Sequence, residues 1–235
     1  MTRRRGKSLY AAAATLAACA IGAAIAVTGV DGFEFDTRTS PAPTISATTT
    51  VPGTQNAADA NRWHAELGVA ERLRDGTYRR DAFGDGWAYA KGCDTRDHVL
   101  ARDLEVVVAG KGCNVIGGTL DDPYSGRKVT FDSSDPAAVQ IDHVVSLSMA
   151  WTLGANRWTP ERREAFANDP ENLLAVDGPT NQSKGDREGW KPPNRGAWCM
   201  YATRYVAVAR KYELPVTPVD HKALGDMLDR CGHAG

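Results

Sequence analysis

The chain has 235 residues, with 28 basic and 29 acidic side chains and a formal net charge of −1 at pH 7. From residue 61 onward it carries 23 basic and 25 acidic residues. It therefore lacks the strongly basic surface that is the usual footprint of a tight nucleic-acid binder, and any contact with phosphate groups must be local.

The first thirty residues form a hydrophobic leader. A basic start, MTRRRGKS, precedes an uncharged run from Leu9 to Val30. This pattern is typical of an export signal or of a retained membrane anchor, and the stretch LAAC at residues 16–19 would also allow lipid attachment at Cys19. The sequence predicts a protein that is secreted or anchored to the outer face of the cytoplasmic membrane, and it leaves these alternatives open.

Residues 31–57 are rich in Thr, Pro, Ser and Ala. Such a segment cannot bury enough apolar surface to offset the entropy of ordering it, so we expect a disordered linker that acts as a tether. The folded domain is then predicted over residues 58–235, long enough to enclose a hydrophobic core.

Four cysteines follow the leader, and an even number in an exported chain indicates two disulfides. They are Cys93, Cys113, Cys199 and Cys231. Three pairings are possible. We favour Cys93–Cys113 and Cys199–Cys231 because each joins nearest neighbours in sequence.

Helices and short strands alternate irregularly along the domain. Apolar residues at helical spacing predict a first helix within residues 57–75. The strand pattern appears in LEVVVAG, on both sides of a turn at Asp122-Pro123, and in VQIDHVVSL. Further helices are expected in SMAWTLGA, in TPERREAFANDP, in residues 194–214 and in residues 218–231, with the strand NLLAV between the second and third of these. The absence of βαβ alternation predicts an α+β fold, with a small antiparallel sheet and flanking helices.

An acid beside an imidazole, Asp142-His143, interrupts the β-branched run of VQIDHVV. Two antiparallel strands followed by a helix would bring this pair into one cleft with Asn181 and Lys184 of NQSKGD. Asp142 and Asn181 offer the oxygen ligands that suit Mg²⁺, with water and substrate phosphate completing its shell. His143 can take a proton from water near neutral pH, and Lys184 can meet a phosphate as a point charge.

Other polar and aromatic residues are weaker candidates. Arg187, Lys191 and Arg195 could line a phosphate track, although solvated surface charges are an equal interpretation. Tyr124 and Trp190 could stack on bases, but aromatics in small disulfide-bonded domains more often belong to the core. A charged cluster is expected to form a buried network that braces the site: Arg96, Asp97, Arg102 and Asp103.

Five stretches carry a resemblance that covers about residues 70–231: IDHVV, AWTLGA, WTPERREAFANDPENLLAV, NQSKGD and CMYATRYVAV. They resemble the HNH endonucleases, the ββα-metal or His-Me finger group, and more narrowly an exported bacterial, GmrSD/HNH C-terminal-like branch. The resemblance implies a ββα-metal motif in which His143 is the general base and Asp142 a metal ligand. Asn172 would be a structural amide that ties the loop to the strand.

The sequence departs from the family pattern at two positions. Asn181 takes a metal-ligand position that many relatives fill with histidine, and an Asp/Asn pair favours Mg²⁺ or Mn²⁺ over Zn²⁺. Ser146 stands where the family usually has proline, which implies a local backbone effect only.

The sequence thus predicts an exported, monomeric endonuclease that uses one divalent cation to hydrolyse phosphodiester bonds. The expected substrate is nucleic acid, DNA rather than RNA, cut with little sequence preference. The alternative is a non-catalytic extracellular module that binds nucleic acid or a wall component in the same cleft. A hydrolase of envelope polymers is disfavoured, because the chain contains no G-x-S-x-G or H-E-x-x-H motif.

Overall fold

The computed structural model describes residues 57–74 and 76–231. The predicted leader, and the predicted linker apart from its last residue, lie outside the described residues. Those that are described belong to one compact unit, residues 48–235. Within the described ranges no helix is both long and apolar enough to cross a membrane.

Helices account for much of the described chain. The α-helices are α1 (Ala57–Glu66), α2 (Thr95–Asp103), α3 (Leu147–Thr152), α4 (Pro160–Ala167), α5 (Gly178–Lys184), α6 (Trp198–Lys211) and α7 (Pro218–Leu228). Short 3₁₀ helices cover Arg80–Phe83, Ala155–Arg157 and Arg195–Ala197.

The strands form three small antiparallel sheets rather than the one sheet predicted. The strands are β1 (Tyr89–Ala90), β2 (Cys93–Asp94), β3 (Glu105–Ala109), β4 (Val115–Asp121), β5 (Lys128–Asp132), β6 (Val139–His143) and β7 (Leu173–Asp177). β1 pairs with β2, β4 lies between β3 and β5, and β6 pairs with β7. This mixture of antiparallel sheets and flanking helices agrees with the predicted α+β class.

Side-chain caps fix where several helices begin. Thr159 accepts a hydrogen bond from the Arg162 amide at the start of α4, and Asp177 accepts from the Thr180 amide at the start of α5. In both helices a proline occupies the first turn, where a missing N–H costs nothing. Ser146, in the position of the family's proline, caps α3 by accepting from the Met149 amide at 3.1 Å.

The first helix is shorter than predicted. It ends at Glu66, and residues 67–74 are not helical. Val69 forms a parallel bridge with Val216, in which the Ala70 amide donates to the Val216 carbonyl at 3.0 Å. Pairing with a distant segment thus overrides the local helical spacing.

The β6–β7 pair lies between two hydrophobic clusters. All five residues of β7 are buried, with Leu174 and Val176 in the larger cluster and Leu173 and Ala175 in the smaller one. Burial of both faces explains why residues 173–176, LLAV, are all apolar rather than alternating with polar residues. The hairpin that carries Asp142 and His143 is therefore held from both sides.

Both favoured disulfides are present. Cys93–Cys113 joins β2 to the segment before β4, and Cys199–Cys231 joins the first turn of α6 to the residues after α7. The second bridge closes a separation of 32 residues and fixes the last helix to the long helix against which it packs.

Candidate functional site

The hairpin of β6 and β7 and the helix α5 bring the Asp-His pair and the NQSKGD segment together. Asp142 lies opposite Leu174 and His143 opposite Leu173 in the antiparallel register. Because neighbouring strand residues point to opposite faces, the two side chains enter different surroundings. A cavity of about 290 Å³ nevertheless contacts Asp142, His143 and Asn181.

Asn172 ties the segment after β6 to the start of β7. Its side chain is fully buried. It accepts a hydrogen bond from the Val145 amide at 2.9 Å and donates one to the Val145 carbonyl at 3.2 Å, while its own carbonyl accepts from the Val144 amide. These contacts tie the two segments together, and the structural role of Asn172 stays a prediction of the family resemblance.

His143 is a buried imidazole with one nitrogen fixed. Its Nε2 lies 2.9 Å from the Ala167 carbonyl oxygen. Because a carbonyl only accepts, Nε2 carries the hydrogen, and the lone pair of the neutral ring belongs to Nδ1. Burial lowers the pKa of His143 to about 4, so the ring is neutral at physiological pH. Among residues 57–74 and 76–231, none hydrogen-bonds to Nδ1.

Trp87 forms the wall beside this imidazole. The two rings are nearly parallel, with an interplanar angle of 12° and centroids 5.8 Å apart. Trp87 lies 56 positions before His143 in a segment of loop character, and no periodicity or motif in the sequence connects the two residues.

Asp142 is buried, and both of its carboxylate oxygens accept hydrogen bonds from side chains. The Tyr124 hydroxyl donates to Oδ2 at 2.6 Å, and the Lys184 ammonium donates to Oδ1 at 2.9 Å. Burial raises the pKa of the Asp142 carboxyl, against the opposing effects of Lys184 and Tyr124. The same burial, with the neighbouring Asp142 charge, raises the pKa of Tyr124 well above its ordinary value.

Lys184 lies inside the protein rather than facing a substrate. Its ammonium also donates to the His143 carbonyl at 2.8 Å, and only 4% of its side chain is exposed. The geometry thus differs from the phosphate contact suggested by the sequence. Lys184 connects α5 to both residues of the Asp-His pair.

The donor set fits a hard divalent cation. Asn181 Nδ2 donates to Gln140 Oε1 at 2.9 Å, which leaves its Oδ1 as an acceptor. Each Asp142 oxygen accepts one hydrogen bond and retains lone-pair capacity. One carboxylate and one amide match the way Mg²⁺ is held, with waters and phosphate in the other positions. No group of three or more His, Cys, Asp or Glu suited to a metal occurs within the described ranges.

The flanking basic residues do not form one track. Lys191 pairs with Asp226 at 2.8 Å and lies against the Trp198 ring, which Arg195 also contacts. Arg187 is exposed just beyond α5. Of these three residues, Arg187 is therefore the one whose surroundings still suit a contact with a substrate phosphate.

The aromatic and bracing predictions have different outcomes. Tyr124 belongs to the core, the more frequent of the two situations weighed for it, because its ring is fully buried against Trp190 and Tyr201. The charged network, in contrast, does contact the hairpin. Arg102 donates to the Leu173 carbonyl, and Asp103, bound by Arg102, accepts from the Ala175 amide at 2.8 Å.

Arg80 is the other residue near His143 that the sequence does not reveal. Its positive charge is one of the influences that lower the pKa of His143, and it lines the same cavity as Asp142 and Asn181. Across the described parts of the chain, Arg80 has no hydrogen bond or ion pair.

Comparison with known families decides the identity of the domain. The family described as "GmrSD restriction endonucleases, C-terminal domain" matches residues 94–227. The chain belongs to this family. No solved structure matches the chain.

A curated relative extends the similarity beyond the family match. An "Uncharacterized secreted protein" of Arthroderma benhamiae (strain ATCC MYA-4681 / CBS 112371) is 38% identical over 186 residues, covering 77% of this chain and 89% of the relative. Membership of the GmrSD C-terminal family supports a nuclease-type function. Because this relative is fungal, the comparison does not support the expectation that the branch is bacterial. The description of the relative as secreted agrees with the predicted export.

Proposed function

We propose that this GmrSD C-terminal-type domain is an exported endonuclease that hydrolyses phosphodiester bonds with one divalent cation and His143 as general base. The observation that carries this proposal is the contact between His143 Nε2 and the Ala167 carbonyl oxygen. The Ala167 carbonyl holds the hydrogen on Nε2, so the basic nitrogen is Nδ1, in a ring that lines the same cavity as Asp142 and Asn181.

The chain's own residues supply positioning and proton transfer. Nδ1 takes a proton from a water molecule as the water oxygen bonds to phosphorus and the bond from phosphorus to the leaving oxygen breaks. The pKa of about 4 keeps His143 unprotonated and ready to accept. The Ala167 carbonyl prevents the ring from turning, which maintains the attack geometry.

Asp142 and Asn181 would hold the cation. Mg²⁺ or Mn²⁺ there would neutralise charge on the scissile phosphate and the leaving oxygen. Tyr124 and Lys184 fix the Asp142 carboxylate from two directions, so both are positioning residues. Arg187 remains the candidate for a further phosphate contact.

The substrate is nucleic acid, with DNA proposed over RNA. Near neutrality of the domain from residue 61 onward disfavours tight duplex binding, because affinity for DNA depends largely on counterion release. A turnover enzyme does not need that affinity. We propose that the domain is a monomer. Its N-terminal segment either directs secretion or tethers the exported domain to the membrane.

Cation dependence tests this function. The oxidised protein is incubated with supercoiled plasmid, single-stranded DNA and RNA, each with Mg²⁺, Mn²⁺ or EDTA. We expect cleavage with either cation, none with EDTA, and strong loss in Asn181→Ala, whereas Asn61→Ala, at an exposed asparagine of α1, keeps its activity. Binding without EDTA-sensitive cleavage of any substrate would instead favour the non-catalytic module.

A further inference from the structure

A second, larger cavity also includes His143 in its lining. Its volume is about 520 Å³, and its lining includes Arg80, Phe83, Trp87 and His143. It shares Arg80, His143 and Leu147 with the smaller cavity that holds Asp142 and Asn181. When a substrate phosphate binds beside His143, the neighbouring nucleotide of the same strand can therefore enter the larger cavity.

The chemistry of the larger cavity differs from that of the smaller one. Trp87 contributes a half-buried ring, while Asp81 and Asp85 contribute carboxylates. Apart from His143, Arg80 is the only basic side chain among the described residues that line it. Two carboxylates repel a phosphate but can accept hydrogen bonds from the amino groups of bases. The charge pattern thus suits a base in the cavity and a phosphate at its boundary, beside Arg80.

A base can enter such a cavity only when it is unpaired. Bases in a duplex are stacked and paired, and extruding one costs a few kcal/mol, whereas an aromatic ring offers a free base a stacking surface that tolerates any sequence. The near-neutral charge of the domain points the same way, since duplex binders depend on extensive basic surface. The walls at residues 80–87 also lie outside the family match, which begins at residue 94.

We propose that the cavity formed by residues 80–87 and His143 binds an unpaired nucleobase next to the scissile phosphate, an assignment that rests on the proposed nuclease function. Trp87 supplies the stacking surface and Arg80 holds the adjoining phosphate. The preferred substrate is therefore single-stranded nucleic acid, and Trp87 is a residue that determines this preference.

Binding without cleavage tests the pocket directly. Fluorescein-labelled ten-nucleotide single-stranded DNA, its duplex, and a ten-unit abasic strand are titrated with the oxidised full chain in EDTA, and Kd is read from anisotropy. We expect the wild type to bind the single strand more tightly than the duplex. Trp87→Leu should weaken single-strand binding by about tenfold, the usual size of one base–aromatic stack, and leave abasic binding unchanged.

Two variants separate stacking from a structural effect. Trp87→Phe keeps an aromatic surface and should restore most of the affinity. Trp63→Leu changes another half-buried tryptophan, which lines a different cavity, and should leave Kd unchanged. Any one of three results would overturn the proposed base-binding pocket. Trp87→Leu could weaken binding of normal and abasic strands equally, or Trp63→Leu could weaken single-strand binding as much as Trp87→Leu does. The third result is equal affinity of the wild type for duplex and single strand.

Failure of the pocket and failure of the nuclease give different results. Cation-dependent cleavage with no effect of Trp87→Leu on single-strand binding would remove the pocket and leave the nuclease. Base-dependent binding through Trp87 in a protein that cuts no substrate would support the pocket and remove the nuclease.

Discussion

At the scale of single residues, the buried pair of Lys184 and Asp142 has the largest energetic consequence. Removing one partner of a buried pair leaves an uncompensated charge, which costs about 3–5 kcal/mol. We therefore expect Lys184→Met to lower the free energy of unfolding by that order, with loss of activity because Asp142 and the His143 carbonyl both lose a donor. Urea denaturation of the variant measures the change.

A surface lysine provides the matched control for Lys184. Lys128 pairs with Glu105 and Asp121, but all three side chains are more than half exposed, and such pairs contribute little. Lys128→Met should leave the unfolding curve almost unchanged. If Lys184→Met were as stable as Lys128→Met, the buried pair would not support the site.

His143 makes a separate prediction through its protonation. Burial lowers its pKa from 6.5 to about 4, so between these values the unfolded chain binds a proton that the folded chain does not. Protonation of His143 therefore does not affect the free energy of unfolding above pH 6.5. As the pH falls towards 4, this residue lowers the free energy of unfolding by roughly 3 kcal/mol. Denaturation at pH 7 and pH 4.5 should show a smaller decrease in His143→Gln than in the wild type.

Activity should follow the same protonation step. Since the neutral ring is the base, kcat/KM of the free enzyme should fall as the pH drops through about 4, and not near 6.5. A half-point for loss of activity near pH 6.5 would show that His143 is solvated like an ordinary histidine.

The sequence predicts some residues of the candidate site and not others. Asp142, His143, Asn172 and Asn181 are visible because their types and spacing fall within one continuous motif. Arg80 and Trp87 cannot be found from the sequence, since they reach His143 only through tertiary packing from a segment outside that motif.

At the scale of elements, the junction between β7 and α5 positions Asn181 and Lys184. Gly178 begins α5, and a Cβ atom at this position would lie only 2.0 Å from the Ala137 carbonyl oxygen. Gly178→Ala must therefore displace either α5 or the chain before β6. We expect a lower melting temperature and reduced cleavage, measured together on the purified variant.

Gly68→Ala is the control for that junction. A Cβ atom there meets nothing closer than the Pro215 side chain at 3.6 Å, an ordinary contact. It should fold and cleave like the wild type. Normal activity in Gly178→Ala would mean that the position of α5 does not limit the site.

Prediction of the elements from sequence succeeds where local chemistry decides. The Thr159-Pro160 start of α4 and the turn between β4 and β5 follow from residue types alone. The end of α1 does not, because the Val69–Val216 bridge joins segments almost 150 positions apart. A pattern within a short window of the sequence cannot predict a pairing between such distant segments.

At the scale of the whole molecule, two disulfides cross-link the described domain. Closing a loop with a separation of 32 residues restricts the unfolded chain and is worth about 3 kcal/mol or slightly more. The double variant Cys199→Ser/Cys231→Ser should therefore melt roughly 6–12 °C below the oxidised wild type. An unchanged melting temperature would show that the bridge does not contribute to stability.

The central claim is that His143 is the base of a nuclease, and its most direct test is the cleavage rate of His143→Ala. His98→Ala is the control, because His98 is exposed and its Nε2 hydrogen-bonds to the Ala90 carbonyl, away from the candidate site. With single-stranded DNA and Mg²⁺, the account predicts a loss of about 10²–10⁴-fold for His143→Ala, the usual contribution of a general base, and a wild-type rate for His98→Ala. Cleavage by His143→Ala at the wild-type rate would contradict it.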